Sequence, residues 1–335
     1  MTGRRRSLPA LEVLDDLCLR PLVLPRPERR LLIRLHALAR RIQGGPLAGH
    51  AAALLSRIPE AAPVLLATGA GATPHLPHGE TDGPPGVVFL ARALHRLRRA
   101  RPVLLTEARM TAPLTAAAAA VDLSAPIEPL PEGAPSPEGA AGLLRRHRPA
   151  ALVVVEKLGE NERGVIHDMR GTDVSASHAS LAGLILAAKE AGILTVAIGD
   201  RGNEVGFGLV AGALPASALH RRRCACPCGG TILCTVATEA LVVAAVSNWG
   251  AYAVTAALAL LNGREDLLPE PAAEAAVREA CVGAGARDGV TREVAPTVDG
   301  TPPEAQAAVV SLLRAAVTAG RSPRRPPARR IRAAR

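Results

Sequence analysis

Five short apolar runs recur along this 335-residue chain: PVLLATG (63–69), PVLLTE (102–107), ALVVVE (151–156), TVAIGD (195–200) and LVVAAV (241–246). They show no polar alternation, which is the pattern of strands buried on both faces. Between and after them, apolar residues recur three and four apart over 87–98, 140–146, 177–191, 253–261, 271–281 and 303–319, the spacing of helices. Strand and helix in alternation predict an α/β fold, a mostly parallel sheet flanked by helices on both faces. Residues 124–139 are rich in Pro, Gly and Glu and read as a loop.

The first sixty residues follow a different pattern. ERRLLIRLHALARRIQ (28–43) sets apolar residues against arginines at helical spacing, Gly44, Gly45 and Pro46 end it, and a second helix is expected at 50–58. Residues 1–60 thus read as an N-terminal helical preface packing on the domain, 61–320 as one α/β domain and 321–335 as a disordered basic tail. Helices of the preface type pack on a domain or pair with a second subunit, so a homo-oligomer is compatible with them.

Charge changes this picture little. The net charge is +10, but Arg4, Arg5, Arg6 and the seven arginines of residues 321–335 account for all of it, leaving a neutral body. A basic nucleic-acid groove is therefore not expected beyond weak tail contacts with phosphates. Aromatic stacking platforms are missing too, since Phe89, Phe207, Trp249 and Tyr252 are the whole aromatic set. The Arg-rich start is followed by no apolar signal segment, and acidic residues come early, at Glu12, Asp15 and Asp16. The uncharged span between Glu239 and Arg264 breaks into strand, turn and helix, so a membrane span is not expected and a cytoplasmic location is. Of the six cysteines, Cys224, Cys226 and Cys228 form a CACPC run with Cys234 nearby. Reduced cysteines on a loop are the default there. Thiolate ligation of zinc or an iron–sulfur cluster is the alternative, and it demands a sharp turn within the run.

Chemistry concentrates where strands end. The stretch TVAIGDRGNEVGFG (195–208) delivers Asp200, Arg201, Asn203 and Glu204 in five residues after a buried strand. Four polar groups so placed are costly to bury unless they grip a ligand, a metal or each other. In open α/β sheets the pocket lies outside the carboxyl ends of the strands. Glu80-Thr81-Asp82-Gly83, Thr106-Glu107, Glu156-Lys157 and Ser247-Asn248 should converge with that loop on one rim of the sheet.

These motifs resemble the D-glutamate cyclase family. GETDGPPG (79–86), IGDRGNEVGFG (198–208), VSNWGAYA (246–253) and the late DGVT (288–291) and TVDG (297–300) match in order over residues 63–300. Glu156, Gly159 and the MRG turn at 169–171 fit as well. The chain departs from the pattern at Arg201, where the family usually has Gly, at Phe207, where it has Met, and in the CACPC run. The resemblance implies cyclisation of D-glutamate to 5-oxo-D-proline with loss of water, a hydro-lyase reaction. That reaction needs a base for the α-amine, an acid or cation on the γ-carboxylate, and a folded substrate.

On this basis Glu80, Asp82, Asp200 and Glu204 are the candidate catalytic acids. Thr81, Gly83, Asn203, Ser247 and Asn248 are candidates to bind substrate, and Asp82, Glu156 and Asp200 to hold a divalent cation, Mn2+ or Mg2+. No organic cofactor is implied. Trp249 is expected to pack the pocket wall, and Asp288 and Asp299 to be structural or peripheral. His75 and His78 read as a solvated loop, with metal ligation as the alternative. The competing functions are a metal-dependent α/β enzyme acting on a phosphorylated or nucleotide substrate and a non-catalytic amino-acid-binding protein. Against the first, no phosphate-cradling G-x-x-x-x-G-K-[ST] loop is present.

Overall fold

The expected parallel sheet is present, with one strand more than the periodicity suggested. In the computed structural model, which describes residues 2–133, 137–215, 218 and 222–321, six parallel strands run in the order β3-β2-β1-β4-β5-β6. They are β1 (Pro63–Gly69), β2 (Arg101–Glu107), β3 (Ile127–Leu130), β4 (Ala151–Lys157), β5 (Leu194–Gly199) and β6 (Ala240–Val243). The basic tail beyond Arg321 lies outside the described residues.

Strand β3 falls in the stretch read as a loop. Its four residues IEPL sit at the sheet edge and include Pro129, tolerated where no second neighbour needs its missing N–H. Strand β6 stops at Val243, three residues earlier than LVVAAV suggested. The chain then turns into a helix that already contains Ser247 and Asn248, so these two open a helix instead of closing a strand.

The helices are α1 (Thr2–Cys18), α2 (Arg26–Gln43), α3 (Leu47–Leu55), α4 (Pro84–Arg98), α5 (Thr111–Ala119), α6 (Pro137–His147), α7 (Ala182–Glu190), the single turn α8 (Gly208–Ala211), α9 (Ser247–Asn262), α10 (Pro271–Gly283) and α11 (Pro303–Arg321). Helix α4 packs against both α5 and α9, while α6 and α7 pair with each other, the arrangement that right-handed crossovers on the two faces of such a sheet require. Helix α9 is buried at every residue from Ser247 to Leu260, which explains the uncharged span. It is an interior helix of the core. No helix among the described residues is long and apolar enough to cross a membrane.

The N-terminal helices are built into the same core. Leu14, Leu32, Leu35, Leu47 and Leu55 are buried in the cluster that holds the strands. Asp15 on α1 accepts the N–H groups of Leu47 (2.6 Å) and Ala48 (3.0 Å), capping α3 from another helix. Gln43 ends α2 against the open edge of β6: it donates to Leu241 O at 2.8 Å and accepts Leu241 N–H at 3.1 Å. One side-chain amide thereby blocks an edge that would otherwise pair with another chain.

This strand order fixes where a ligand can go. The chain builds β1, β2 and β3 outward, then returns to the opposite side of β1 to build β4, β5 and β6. Loops leaving the carboxyl ends of β1 and β4 diverge there and open a crevice.

Candidate active site

The crevice is a cavity of about 620 Å³, and carboxylates dominate its polar lining. Glu80, Glu156, Asp168, Asp200, Glu204, Asp299 and Glu28 all line it, together with Asn203 and Arg201. The loops that follow β1, β4 and β5 thus meet at one cavity, while Thr106, Glu107, Ser247 and Asn248 do not line it.

The loop after β1 supplies Glu80 and Asp82. Asp82 is buried and accepts three backbone N–H groups, from Asn248 (2.7 Å), Ser247 (2.8 Å) and Gly83 (3.0 Å). It therefore caps the N-terminus of α9, where the helix dipole favours a negative charge. Burial outweighs that help: with Asp299 close by, its carboxyl is pushed up to about 8. Asn248 locks the same turn, accepting from Gly83 N–H and Gly86 N–H (3.0 and 2.8 Å) and donating to Thr81 O (3.0 Å). Thr81 in turn donates to Thr297 O at 2.7 Å. Gly83 has φ of 100°, and a Cβ there would sit 2.3 Å from Thr68 Oγ1. Thr81, Gly83 and Asn248 are thus engaged within the turn itself.

Glu80 is different. Half-buried, it has no hydrogen-bond partner among the described residues and faces the cavity. Its Oε2 lies where a Cβ on Gly289 would be, 1.8 Å away, so that glycine makes the room it occupies. Burial, then the charges of Asp299 and Asp82, hold its carboxyl well above the usual range.

Glu156, the penultimate residue of β4, has a positive φ of 45°, a strained conformation for a residue with a side chain. Its Oε2 accepts from Ser247 Oγ at 2.5 Å. Burial raises its carboxyl well above the ordinary value, with Glu204 and Asp82 pushing the same way.

The loop after β5 closes the ring. Glu204 is buried and accepts the N–H groups of Gly202 (2.8 Å), Arg201 (2.9 Å) and Asp200 (3.2 Å), so it shapes its own loop. Arg201 donates from Nε to Asp200 Oδ2 (3.0 Å) and from Nη2 to Asp299 Oδ2 (2.8 Å), with Glu28 at 3.9 Å from Nη1. Even so, burial keeps Asp200 well above the ordinary carboxyl range, since it outweighs the pull of Arg201. Asn203 donates from Nδ2 to His167 O at 2.9 Å.

Two triads of carboxylate oxygens lie within 4.8 Å of one another, Asp82–Asp200–Asp299 and Glu156–Asp200–Glu204. Hard oxygen donors at such spacing suit Mg2+ or Mn2+. Arg201 already places one positive charge between Asp200 and Asp299.

The geometry alters several expectations. Asp299, expected at the periphery, belongs to the acid ring, with φ of 54°. Asp288 is a buried tie instead, accepting Val290, Thr291 and Gly300 N–H groups at 2.8 Å each. His75 lines the cavity rim, whereas His78 is turned to Arg109 O at 3.1 Å. Trp249 is fully buried, donates to Gln306 Oε1 at 2.6 Å, and packs behind Arg201 and Asp299. Glu28 was missed because it sits in an ordinary amphipathic helix. Glu107 and Lys157 form a buried ion pair beside the site, with Ala179 N–H on Glu107 at 2.8 Å. Burial alone would raise the Glu107 carboxyl, but Lys157 prevails and the net shift is downward.

The family profile described as D-glutamate cyclase-like, C-terminal, matches residues 32–314. The chain belongs to that family. A 197-residue stretch is also 32% identical to the human mitochondrial D-glutamate cyclase, covering 56% of this chain and 31% of that protein. The chain therefore spans under a third of that relative's length. Every acid of the D-glutamate cyclase-like ring lies inside the matched span except Glu28, which the preceding residues contribute.

Proposed function

We propose that the chain cyclises D-glutamate to 5-oxo-D-proline and releases water, acting as a hydro-lyase. The observation that carries this reading is the family membership together with an acid ring at the sheet's crossover crevice. In the reaction the α-amine attacks the γ-carboxyl carbon, a C–N bond forms, and a C–O bond breaks as water departs.

Glu80 is the base in this scheme. Its carboxylate has no hydrogen-bond partner among the described residues, and its raised proton affinity suits it to take a proton from the substrate ammonium. Burial raises the proton affinity of Asp200 and Glu156, which suits either to deliver a proton to the departing hydroxyl. Arg201 lines the cavity and among the described residues has no partner closer than 3.9 Å on Nη1, which leaves that group for the substrate α-carboxylate. Asn203 presents its amide oxygen to the ammonium while His167 O holds its nitrogen. Asp82 positions α9 and the turn that carries Glu80. Mg2+ or Mn2+ on Asp82, Asp200 and Asp299, or on Glu156, Asp200 and Glu204, would polarise the γ-carboxyl when bound.

A phosphorylated substrate fits poorly, since seven carboxyl-bearing residues line the cavity against three arginines, Arg170, Arg201 and Arg292. Incubation with D-glutamate, L-glutamate and 5-oxo-D-proline, with and without Mn2+, read by chiral chromatography, tests the proposal. D-Glutamate should disappear as 5-oxo-D-proline and water form. Binding of D-glutamate with no turnover in either direction would leave a non-catalytic binding protein.

A further inference from the structure

Away from the acid ring, three thiols and one imidazole meet at a point the cyclase chemistry does not use. His167 Nε2 lies 3.2 Å from Cys226 Sγ and 3.7 Å from Cys228 Sγ, and Cys224 Sγ lies 3.3 Å from Cys228 Sγ and 3.6 Å from Cys226 Sγ. The four ligand atoms all fall within 4.8 Å of one another. The geometry points to a structural zinc site of the Cys3His kind, formed by His167, Cys224, Cys226 and Cys228.

The distances carry the argument. With Zn–S near 2.3 Å and Zn–N near 2.0–2.1 Å, tetrahedral ligands stand roughly 3.5–3.8 Å apart. The observed separations run from 3.2 to 3.7 Å, two within that range and two just below it. An iron–sulfur cluster would have to hold the same sulfurs apart around its own inorganic core, and these sulfurs are in mutual contact. Thiolates with one imidazole in a tetrahedron select zinc over the hard cations that suit the acid ring. Four protein ligands leave no open position, so the role is structural.

The sequence argued against such a site because alternate residues of an extended run, though on one face, stand about 6.6 Å apart and must turn sharply to share one ion. The run is not extended. Cys224 N–H donates to Gly230 O at 3.0 Å, Arg223 pairs with Thr231, and Gly229 takes a φ of 65°. This knuckle turns all three sulfurs inward. Two groups then donate to the Cys228 sulfur, Gly230 N–H at 3.4 Å and Asn161 Nδ2 at 3.6 Å, which favours its thiolate form.

The site would brace one wall of the cavity. Ala225 N–H donates to Gly171 O at 3.1 Å, and a Cβ on Gly171 would meet Ala225 N at 2.8 Å, so the knuckle and the MRG turn are in direct contact. Met169 and Arg170 of that turn line the cavity, and His167 O holds Asn203. The zinc inference does not depend on the substrate.

Elemental analysis decides it. The full chain, expressed with zinc and dialysed without chelator, should hold close to one zinc per chain, on the order of full occupancy of a single site. Cys226→Ser and Cys228→Ser should lose it, while Cys281→Ala, remote from the knuckle, should keep it. Cobalt substituted into the parent chain should give the intense visible bands of a tetrahedral thiolate site. Chelation should raise amide exchange over residues 160–172 and 222–234 and leave the sheet unchanged. Zinc well below stoichiometry in the parent chain, a disulfide between Cys224 and Cys228 by peptide mapping, a weak octahedral cobalt spectrum, or retention of zinc in both serine variants would each overturn the inference.

Discussion

Raising the pH from 7 to 8 should destabilise this protein, and Asp82 sets the smallest size of the effect. In the folded chain the Asp82 carboxyl is pushed up to about 8, first by burial and then by Asp299, despite three backbone N–H donors. In the unfolded chain it ionises near 3.9. The native state thus binds a proton that the unfolded state has released, and stability falls with pH until the folded value is passed. Integrated over this interval, Asp82 alone removes about 1 kcal/mol, and each neighbour that stays protonated throughout removes about 1.4 more. Glu80, Glu156 and Asp200 are held well above the ordinary range and add in the same direction. His178, pushed down to about 3 by burial and then by Lys157, has the opposite sign, but its effect is complete by the unfolded histidine value of about 6.5. The buried thiols of Cys18, Cys234 and Cys281 are raised by burial and act in the same sense as Asp82. Urea unfolding of the parent chain and of Asp82→Asn at both pH values, in metal-free buffer, separates them. The variant is less stable throughout, yet its loss between pH 7 and 8 should be smaller by about 1 kcal/mol. An equal loss in both proteins, or a parent chain that gains stability over this interval, refutes the assignment of a retained proton to Asp82.

Removing the base, Glu80→Gln, should lower kcat for D-glutamate by about 10²- to 10⁴-fold without loss of stability, measured by product chromatography and urea unfolding. Gly289→Ala should do the same to a smaller extent, because its Cβ takes the place of Glu80 Oε2, the end of a flexible side chain. Its stability should stay within about 1 kcal/mol of the parent; unaltered turnover would show that the position of Glu80 is immaterial. Arg201→Met leaves Asp200 and Asp299 without their guanidinium and should cost about 3–5 kcal/mol, part of it restored by Mn2+ in a thermal-shift titration. Lys157→Met strands the buried Glu107 carboxylate at a similar cost of about 3–5 kcal/mol, and adding Glu107→Gln should recover much of it in urea unfolding.

The sheet was legible because a strand buried on both faces has no polar alternation to disguise it, and five of the six strands carry that signature. Strand β3 does not: four residues at an edge, one of them Pro129, contain too little periodicity to stand out from a loop. The preface was legible as helices but not as part of the site. Nothing in the amphipathic pattern of α2 separates Glu28, which approaches Arg201, from a solvated acid. Strand-end chemistry was legible for a topological reason. In a parallel sheet every strand delivers its carboxyl end to the same rim, so polar residues that follow apolar runs must share an edge whatever their distance in sequence.

Division of labour within that rim was not legible, and hydrogen-bond bookkeeping at the residue level explains why. Asp82, Glu204 and Asp288 each accept three backbone N–H groups, whereas Glu80 accepts none among the described residues. All are acids near glycines in loops, and sequence alone treats them alike. What separates them is whether the local backbone folds its donors around the carboxylate. A cradled acid organises a turn; an acid left without donors keeps its lone pairs for a substrate or a cation. The same reasoning covers the cysteines, whose spacing looked wrong for a metal only while the run was taken as extended. Gly229 and the pairing of Arg223 with Thr231 curl it into a knuckle, and His167 arrives from more than fifty residues upstream, a distance at which spacing carries no signal.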